Sequence, residues 1–269
     1  MSSLFKIKGI VIITGAAGLL GQQHARAVLE YGGSVALVDI NQNSLEALKA
    51  SFEKEGFKEV YIFVCDITKK PNVENILVDL ETKQKKIVGL INNAAINPAV
   101  NNNLSKSNEL ENFNLNDWDL ELDVGLKGSL ICTMVFGASM AKNKYGSIVN
   151  ISSDLGLIAP DQRLYRDKDD RHKKYKPVTY SVIKHALIGL TKYTSTYWND
   201  CGIRCNALLP GGVEDNQDQD FLNKVSKLIP LGRMAYKNEY QGAIVFLLSD
   251  ASSYMTGSSL VIDGGRTSW

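Results

Sequence analysis

Three side chains in the second half of the chain, Ser153, Tyr180 and Lys184, could together move a proton. A Tyr with a Lys four residues later places a phenol and an ammonium on one face of a helix. A phenol has an unperturbed pKa near ~10, so Tyr180 can act as an acid or base near neutrality only where a cation stabilises the phenolate. The alternative is a surface helix on which Tyr180 and Lys184 are only neighbours.

A glycine-rich turn near the N-terminus predicts a cofactor for this acid–base group. Residues 14–21 read Thr-Gly-Ala-Ala-Gly-Leu-Leu-Gly, after a buried strand pattern and before a helical one. Glycine spacing of this kind also arises by chance or from tight helix packing. Here Asp39 ends the next strand 24 residues after Gly15, where a carboxylate can accept hydrogen bonds from a ribose diol. The turn is therefore predicted to hold a dinucleotide pyrophosphate at a helix N-terminus.

The residues around Asp39 predict the choice of cofactor. The carboxylate would repel the 2′-phosphate of NADP because like charges repel. The neighbouring residues Ala16, Ala17, Ile40 and Asn41 offer no compensating cation. NAD(H) is therefore favoured over NADP(H).

Together these groups predict a hydride transfer coupled to a proton transfer. Lowering the pKa of Tyr180 by roughly three units requires about 4 kcal/mol, which Lys184 and a positive nicotinamide ring could supply in a desolvated cleft. In the oxidative direction Tyr180 would remove the hydroxyl proton as a hydride leaves the same carbon for NAD. Lys184 would also bind the nicotinamide ribose.

Short Val/Ile-rich runs alternate with longer amphipathic segments along the chain. The runs predict strands at 10–14, 34–39, 60–65, 87–92, 147–151, 203–208 and 259–262. The segments predict helices at 19–31, 44–55, 73–83, 118–142, 178–198 and 239–248. This alternation predicts an α/β protein: a single-domain Rossmann fold over residues 1–269, with a doubly wound, mostly parallel sheet of seven strands and helices on both faces. In such a sheet ligands bind beyond the carboxyl ends of the strands, where Asp39, Asp66 and Ser153 fall.

Composition argues against several other classes of protein. With 30 basic and 29 acidic residues the net charge is +1, which favours neither nucleic acid nor a membrane as a partner. No apolar stretch approaches the ~20 residues that span a bilayer, and residues 1–10 lack the apolar core of a secretory signal, so a cytoplasmic protein is expected. The four cysteines are expected to be reduced and mostly buried, no metal site is predicted, and the three histidines are given no role.

In order along the chain, these motifs resemble those of the short-chain dehydrogenase/reductase family nearly from end to end. The matching steps are Asn92-Asn93-Ala94-Ala95, Asn150-Ile151-Ser152-Ser153, Tyr180-Ser181-Val182-Ile183-Lys184, Pro210-Gly211-Gly212, and Thr256-Gly257 with Val261-Ile262-Asp263-Gly264-Gly265. The resemblance implies an NAD(P)-dependent enzyme in which Tyr180 and Lys184 are catalytic and Ser153, rather than Ser152, bonds the substrate oxygen. It implies cofactor contacts from Gly15, Ala17, Gly18, Leu19, Leu20, Gly21, Asp39, Ile40, Asp66, Ile67, Asn93, Ala94, Ala95, Tyr180, Lys184, Pro210, Gly211, Gly212 and Val213.

Two positions depart from the family pattern. Where the compact branch has a proton-relay Asn, this chain has Gly125, so a water or another residue completes the relay, or turnover is slower. The Thr expected after Pro210-Gly211 is replaced within residues 214–216, where Asn216 could substitute for it.

An insertion separates Ser153 from Tyr180, which are 27 positions apart. Residues 161–176 hold seven Lys or Arg against four Asp, which favours an anionic substrate. A charged, solvated loop or a subunit contact is the alternative. The candidate substrate contacts are Ser153, Asp154, Arg171 and Lys173. Substrate loops are expected near 96–116, 160–177 and 213–232.

The glycine turn, the insertion and the step at 210–217 resemble those of bacterial flagellin-modification proteins of type A, which are linked to legionaminic-acid-type sugars. The resemblance implies an oxidoreductase acting on a secondary alcohol or ketone of a sugar or sugar derivative, phosphorylated or nucleotide-linked, in surface polysaccharide or flagellin glycan biosynthesis. It also implies a homodimer or homotetramer formed through apolar elements at 243–248 and 260–262. The alternatives are an NAD-binding regulatory or assembly subunit and an NAD-retaining epimerase or dehydratase.

Overall fold

The computed structural model describes residues 3–96, 108–166 and 175–269, and it confirms the doubly wound α/β fold. In these ranges seven strands form one parallel sheet in the order β3-β2-β1-β4-β5-β6-β7. They are β1 Ile10–Thr14, β2 Ser34–Asp39, β3 Val60–Val64, β4 Ile87–Asn92, β5 Gly146–Ile151, β6 Ile203–Pro210 and β7 Ser259–Ile262. The order reverses between β1 and β4, so the carboxyl ends of these two strands border a crevice.

Helices cover both faces of the sheet. They are α1 Leu19–Glu30, α2 Gln42–Lys54, α3 Lys70–Thr82, α4 Leu115–Leu122, α5 Gly128–Lys142, α6 Val178–Tyr197, α7 Gln219–Ser226 and α8 Gln241–Leu248. Side chains alternate along a strand, so Val11 and Ile13 pack with α1, α2 and α8, whereas Ile10 and Ile12 pack with α3 and α5. Burial on both faces explains why β1 and β4 have almost continuous apolar sequences.

The helix predicted at 118–142 begins earlier and is interrupted. α4 continues into a π-helical turn, Asp123–Lys127, and then into α5. The combined run Leu115–Lys142 is long and apolar enough by composition to cross a membrane, contrary to the sequence expectation, but 61% of its most apolar window is buried inside the molecule. α5 packs on β4 and α3, so this run is built as a core helix.

Two of the predicted substrate loops, at 96–116 and 160–177, lie partly outside the described ranges. Each contains a short 3-10 turn in its described part. The turns are Leu110–Asn112 and Gln162–Tyr165. The candidate contacts Arg171 and Lys173 fall outside the described residues, so their role stays a prediction.

The third predicted loop, at 213–232, is not a loop throughout, because α7 lies within it. Asp218 caps this helix by accepting a hydrogen bond from the Phe221 N–H at 2.9 Å. Val225 is buried in a small apolar cluster with Leu164 of the insertion. A cap and an apolar face are enough to hold the two turns of α7 against the insertion, so this part of the predicted loop is helical.

Three of the four cysteines, Cys65, Cys132 and Cys205, are buried free thiols, and Cys201 is half-buried. Burial raises the pKa of Cys65 to about 11 and that of Cys205 to about 12. These thiols are therefore protonated near neutrality and serve as packing groups, as the sequence predicted.

Candidate active site

The predicted cofactor turn joins β1 to α1. Gly15 has a φ of +60°, and a Cβ there would lie 2.8 Å from the Ala94 Cα, so only glycine fits. Gly18 is the N-cap of α1, and its N–H donates to the Gly15 carbonyl at 3.1 Å. A Cβ on Gly21 would clash with the same carbonyl oxygen, so the helix approaches the turn closely. Backbone N–H groups at such a helix N-terminus are the arrangement that binds a pyrophosphate.

Asp39 is held beside this turn at the end of β2. Its Oδ2 accepts a hydrogen bond from the Ala17 N–H at 3.1 Å, and its Oδ1 accepts one from the Asn41 N–H at 3.1 Å. The side chain is only half-buried, so the oriented carboxylate remains accessible to a ligand on the turn.

Other predicted cofactor residues lie at the neighbouring strand ends. Asp66 accepts hydrogen bonds from the backbone and hydroxyl of the Thr two residues later, at 2.9 and 2.7 Å, and these bonds lower its pKa. The Asn93 amide donates to the carbonyls of Thr14 and of the next residue at 3.0 Å each. The Ala94 N–H donates to the Thr14 hydroxyl at 3.1 Å, and Ala95 is exposed beyond it. These bonds tie the end of β4 to the glycine turn.

The apolar residues among the predicted cofactor contacts differ in exposure. Ile40 is 75% exposed and Leu19 is also exposed, whereas Leu20 packs against the core. Ile67 is buried, and a Cβ on Gly128 of α5 would lie 2.7 Å from its Cδ1. Ile67 therefore supports α5, while Ile40 and Leu19 border the open side of the turn.

The residues that follow β6 lie beside the C-terminal part of the chain. The Gly211 N–H donates to the Ile262 carbonyl at 2.8 Å, and the Gly212 carbonyl accepts from the Ala235 N–H at 3.0 Å. Val213 forms a parallel β-bridge with Ala235. This predicted contact segment is thus fixed on both sides by backbone hydrogen bonds.

Asn216, the candidate replacement for the missing Thr, lies in an exposed turn. Its φ is +60°, and its Nδ2 donates to the Asp215 Oδ1 at 3.3 Å. It borders an open surface cavity together with Tyr236 and Lys237. A role for Asn216 at the cofactor therefore stays a prediction.

The two serines after β5 use their hydroxyls differently. Ser152 donates to the Lys184 carbonyl at 2.6 Å, which is a bond between strand end and helix. Ser153 donates to the Asp154 Oδ1 at 2.7 Å and accepts from the Leu155 N–H at 3.1 Å. Only Ser153 therefore has its hydroxyl among other polar side-chain atoms at the strand end.

Tyr180 and Lys184 lie one turn apart near the N-terminus of α6. The Lys184 Nζ is 5.6 Å from the Tyr180 ring centroid and donates to the Ile151 carbonyl at 2.9 Å. Burial lowers the pKa of Lys184 to about 8. Burial raises the pKa of Tyr180, a hydrogen bond with Ser153 opposes the rise, and the Asp154 carboxylate adds to it. The three predicted catalytic residues are brought together, around a phenol whose ionisation needs nearby positive charge.

A row of buried amides supports the site from below. The Asn92 Nδ2 donates to the Thr133 hydroxyl at 3.1 Å and to the Asn150 Oδ1 at 2.8 Å. The Asn150 Nδ2 then donates to the Thr191 hydroxyl at 2.8 Å. These bonds join β4, β5, α5 and α6, so they hold the strand that precedes Ser153 against the helix that carries Tyr180. Both Asn residues occur in the sequence motifs, but their pairing depends on the fold.

Gly125, which stands where the family has its relay Asn, lies inside the π-helical turn. It is buried, and its carbonyl accepts a hydrogen bond from the Ser129 hydroxyl at 2.9 Å. A Cβ at this position would lie 2.9 Å from the Ile183 Cγ2. The space for a relay side chain is therefore occupied by Ile183.

Three charged side chains near Tyr180 or Asp154 are not among the contacts predicted from the sequence. The Lys176 Nζ lies 3.8 Å from the Tyr180 ring centroid. Glu121 is buried, accepts a hydrogen bond from the Thr that precedes Tyr180, and has its pKa raised by burial. The Arg266 Nε lies 3.6 Å from the Asp154 Oδ2, and both side chains are buried. Their positions in the sequence do not predict these contacts, because Lys176 lies in the insertion and Arg266 follows the last glycine motif.

The residues present fit a nicotinamide dinucleotide. The cradle at Gly15 and Gly21 closes if a Cβ is added, and Asp39 is oriented beside it. A family model described as enoyl-(acyl carrier protein) reductase matches residues 15–267. The post-translational flagellin modification protein A of Campylobacter coli is 31% identical over 256 residues, 95% of this chain and 97% of that protein. D-threitol dehydrogenase of Mycolicibacterium smegmatis is 30% identical over 270 residues, 98% of this chain and 95% of that one.

Solved structures show the same architecture. A gluconate 5-dehydrogenase from Burkholderia cenocepacia, in complex with NADP and tartrate, matches with a TM-score of 0.86 at 28% identity and covers 99% of this chain and 98% of its own. An NAD+-bound xylitol dehydrogenase matches with a TM-score of 0.84 at 26% identity and covers 98% of this chain and 100% of its own. One neighbour holds NADP and the other NAD, so a nicotinamide cofactor is common to both while the preference differs. The chain belongs to the short-chain dehydrogenase/reductase family of oxidoreductases.

Proposed function

We propose that this oxidoreductase uses NAD(H) to interconvert a secondary alcohol and a ketone on a polyol or sugar. The observation that carries the proposal is the closeness of Tyr180 and Lys184 on α6 to Ser153, which follows β5 at the edge of the sheet where Asp39 also ends its strand. The names of the similar proteins, which include threitol, xylitol and gluconate dehydrogenases, support a polyhydroxylated substrate.

The roles of the chain's own residues follow from their chemistry. A nicotinamide, when bound, supplies the exchange of hydride with the substrate carbon. For oxidation the Tyr180 phenolate accepts the hydroxyl proton while the Ser153 hydroxyl holds the same oxygen. The Lys184 ammonium, fixed by its bond to the Ile151 carbonyl, stabilises the phenolate. For reduction the Tyr180 phenol gives its proton to the ketone oxygen.

The preference for NAD is supported by the position of Asp39. Its carboxylate accepts the Ala17 N–H at the glycine turn, where a ribose would lie. A diol can donate hydrogen bonds to this carboxylate, whereas a 2′-phosphate would bring a second negative charge against it.

We propose more specifically that the substrate is a sugar derivative of surface polysaccharide or flagellin glycan biosynthesis, because the chain is similar to the Campylobacter coli protein. The buried Asp154 carboxylate is proposed to accept a substrate hydroxyl next to the one that reacts. Arg171 and Lys173 are proposed to contact the phosphate or nucleotide of an anionic substrate. The segments proposed to contact substrate are 96–116, 160–177 and 213–232, the last of which contains α7.

We further propose a cytoplasmic homodimer or homotetramer. Leu130 and Met134 of α5, Tyr193 of α6 and Val261 of the edge strand β7 expose apolar surface that a second subunit could cover. By contrast, α8 is largely buried against α1 of its own chain, so less of it is available for such contacts. Light scattering measures the mass that decides between these states.

The proposed reaction is tested by incubating wild type and Tyr180→Phe with NAD and a panel of polyols and free, phosphorylated and nucleotide-linked sugars. NADH fluorescence should show turnover by wild type, and the variant should lose about 10²-fold or more, because the acid–base group is gone. Tyr254→Phe, at a fully exposed tyrosine, is the matched control and should retain activity.

The alternatives give other results in the same experiment. Equal turnover by wild type and Tyr180→Phe would refute the assigned base. Tight NAD binding without turnover on any substrate would favour the regulatory or assembly subunit. NAD that copurifies and converts substrate with no net reduction would favour the epimerase or dehydratase.

A further inference from the structure

The insertion between Ser153 and Tyr180 carries one cation to the catalytic tyrosine. The Lys176 Nζ lies 3.8 Å from the centroid of the Tyr180 ring, closer than the Lys184 Nζ at 5.6 Å. Lys176 precedes Pro177, the N-cap of α6, so it reaches Tyr180 from outside the helix rather than along one helix face. The site therefore has two ammonium groups near one phenol.

The backbone of Lys176 is fastened to the first turn of the insertion. The Lys176 N–H donates to the Gln162 Oε1 at 3.1 Å, and the Gln162 Nε2 donates to the Lys176 carbonyl at 3.5 Å. Gln162 belongs to the 3-10 turn whose Leu164 is buried against α7. The insertion thus has a packed anchor that sets the position of Lys176.

Several other charged and titratable groups act on Lys176 and Tyr180. Asp154 and Glu121 both favour the charged form of Lys176, but burial outweighs them and lowers its pKa to about 8. The Lys184 Nζ lies 5.6 Å from the centroid of the Tyr180 ring, and the charge of Lys176 adds to the effect of burial in lowering the pKa of Lys184. The Asp154 carboxylate helps to raise the pKa of Tyr180. The Arg266 guanidinium lies 3.6 Å from Asp154. Burial raises the pKa of the half-buried Tyr165 phenol to about 12, and Arg266 opposes this rise.

A cation over an aromatic face interacts more strongly with a phenolate than with a phenol, because part of the negative charge is spread over the ring. We propose that Lys176 is a second electrostatic catalyst that stabilises the Tyr180 phenolate from the ring face. The inference rests on the proposed role of Tyr180 as the base. With this role for Lys176, the insertion acts at the reacting centre of a site in which Gly125 stands in place of the family's relay Asn.

The pH dependence of this effect follows from the titration of the pair. Lys176 is charged below about pH 8 and loses its proton above that value. The stabilisation of the Tyr180 phenolate by Lys176 is therefore greatest at low pH and decreases as the pH rises. Because Lys176 and Tyr180 interact, the two apparent pKa values belong to the pair and not to either residue alone.

The first test needs no substrate. Phenolate absorbance is titrated in Lys176→Met and Lys176→Arg, each corrected by subtracting the same variant with Tyr180→Phe added. Arg stays charged and stacks on aromatic faces, so the pKa of Tyr180 should be lower in Lys176→Arg than in Lys176→Met by about one unit or more. Equal values in the two backgrounds would overturn the proposal. Lys142→Met, an exposed lysine at the far end of α5, should match wild type.

The second test is the pH profile of kcat/KM for alcohol oxidation. Lys176→Met should lose about tenfold below pH 8 and approach wild type above it, and Lys176→Arg should restore the low-pH activity. A loss that is equal at every pH, or that Arg does not rescue, would show a merely structural role. Gln162→Leu should also lower kcat/KM below pH 8, because Lys176 loses its hydrogen bonds with Gln162. If wild type turns over nothing, the proposed reaction has failed, and the absorbance titration still decides the role of Lys176.

Discussion

At the scale of single residues, Asp39 joins two segments of the predicted cofactor site through one carboxylate. It bonds the Ala17 N–H of the glycine turn and the Asn41 N–H of the next segment, at 3.1 Å each. Asp39→Ala should raise the KM for NAD about tenfold or more, because a hydrogen bond to a charged group contributes about 1.5–3 kcal/mol. It should also narrow the preference over NADP, since the repulsion of the 2′-phosphate disappears. Steady-state kinetics with both cofactors measure the two effects.

The variant Asp39→Asn separates charge from hydrogen bonding. An amide oxygen can still accept the Ala17 N–H, so the turn keeps its support while the negative charge is lost. Thermal denaturation of both variants checks that the turn remains folded. Discrimination between NAD and NADP that is unchanged in both variants would remove Asp39 from the ribose site.

The sequence predicts the site residues whose positions depend on local geometry. The spacing of Tyr180 and Lys184 is a helical period, and Ser153 follows an apolar strand, so their positions can be predicted. Lys176 has no such signal, because its position depends on how the insertion folds back and on its hydrogen bonds with Gln162. Glycine at 125 reveals a missing side chain, but only the structure shows that Ile183 occupies the space.

At the scale of elements, the π-helical turn between α4 and α5 depends on a missing side chain. A Cβ on Gly125 would lie 2.9 Å from the Ile183 Cγ2. Gly125→Ala should lower the free energy of unfolding by about 1–3 kcal/mol through overpacking. Gly189 of α6 is exposed, and outside its own helix none of the described residues has an atom within 4 Å of an added Cβ, so Gly189→Ala should stabilise by about 0.4–1 kcal/mol. Urea denaturation of the two variants makes the comparison.

A double-mutant cycle identifies the cause of the Gly125→Ala effect. With Ile183→Ala the contact is removed, so the two substitutions together should cost less than the sum of their separate effects. Additive costs, or a Gly125→Ala variant as stable as wild type, would contradict the steric account. The same contact predicts that Gly125→Asn alone does not rebuild the family's relay.

Elements were predictable where period and length act together. The strands and the long helices have continuous apolar runs or faces, and the strand alternation predicted the parallel sheet. α7 is only eight residues long, so its cap at Asp218 and the apolar Phe221 and Val225 give too short a period to distinguish it from a loop. The π-helical turn keeps the composition of a helix, and the change in its hydrogen bonds leaves no trace in the residue types.

At the scale of the whole molecule, stability in acid should depend on His24 of α1. The side chain is fully buried, and neither ring nitrogen has a hydrogen-bond partner among the described residues. Burial lowers the pKa of His24 to about 3, against a smaller opposing effect of Asn93. The folded state therefore keeps the imidazole neutral at pH values where an unfolded chain, with a His pKa near ~6.5, already takes up a proton.

The sign of the effect follows from this difference. Above pH 6.5 His24 is neutral in both the folded and the unfolded state. Below pH 6.5 the unfolded state binds a proton at His24, whereas the folded state keeps it neutral down to about pH 3. The free energy of unfolding should then fall by about 1.4 kcal/mol per pH unit from pH 6.5 towards pH 3 on account of this group. His24→Leu, of similar size and without ring nitrogens, should remove that slope between pH 6.5 and about pH 4.5, before the carboxylates with lowered pKa, such as Asp66 and Asp263, begin to titrate.

Urea denaturation of wild type and His24→Leu at successive pH values measures this slope directly. The difference in stability between the two proteins should be constant above pH 6.5 and should shift in favour of the variant as the pH falls. Parallel curves through the whole range would mean that His24 becomes protonated in the folded state as readily as in the unfolded one. In that case water or a hydrogen-bonding partner would have to lie beside the imidazole. The packing of α1 under the glycine turn, which supports the predicted cofactor site, would then be looser than the buried side chains of α1 indicate.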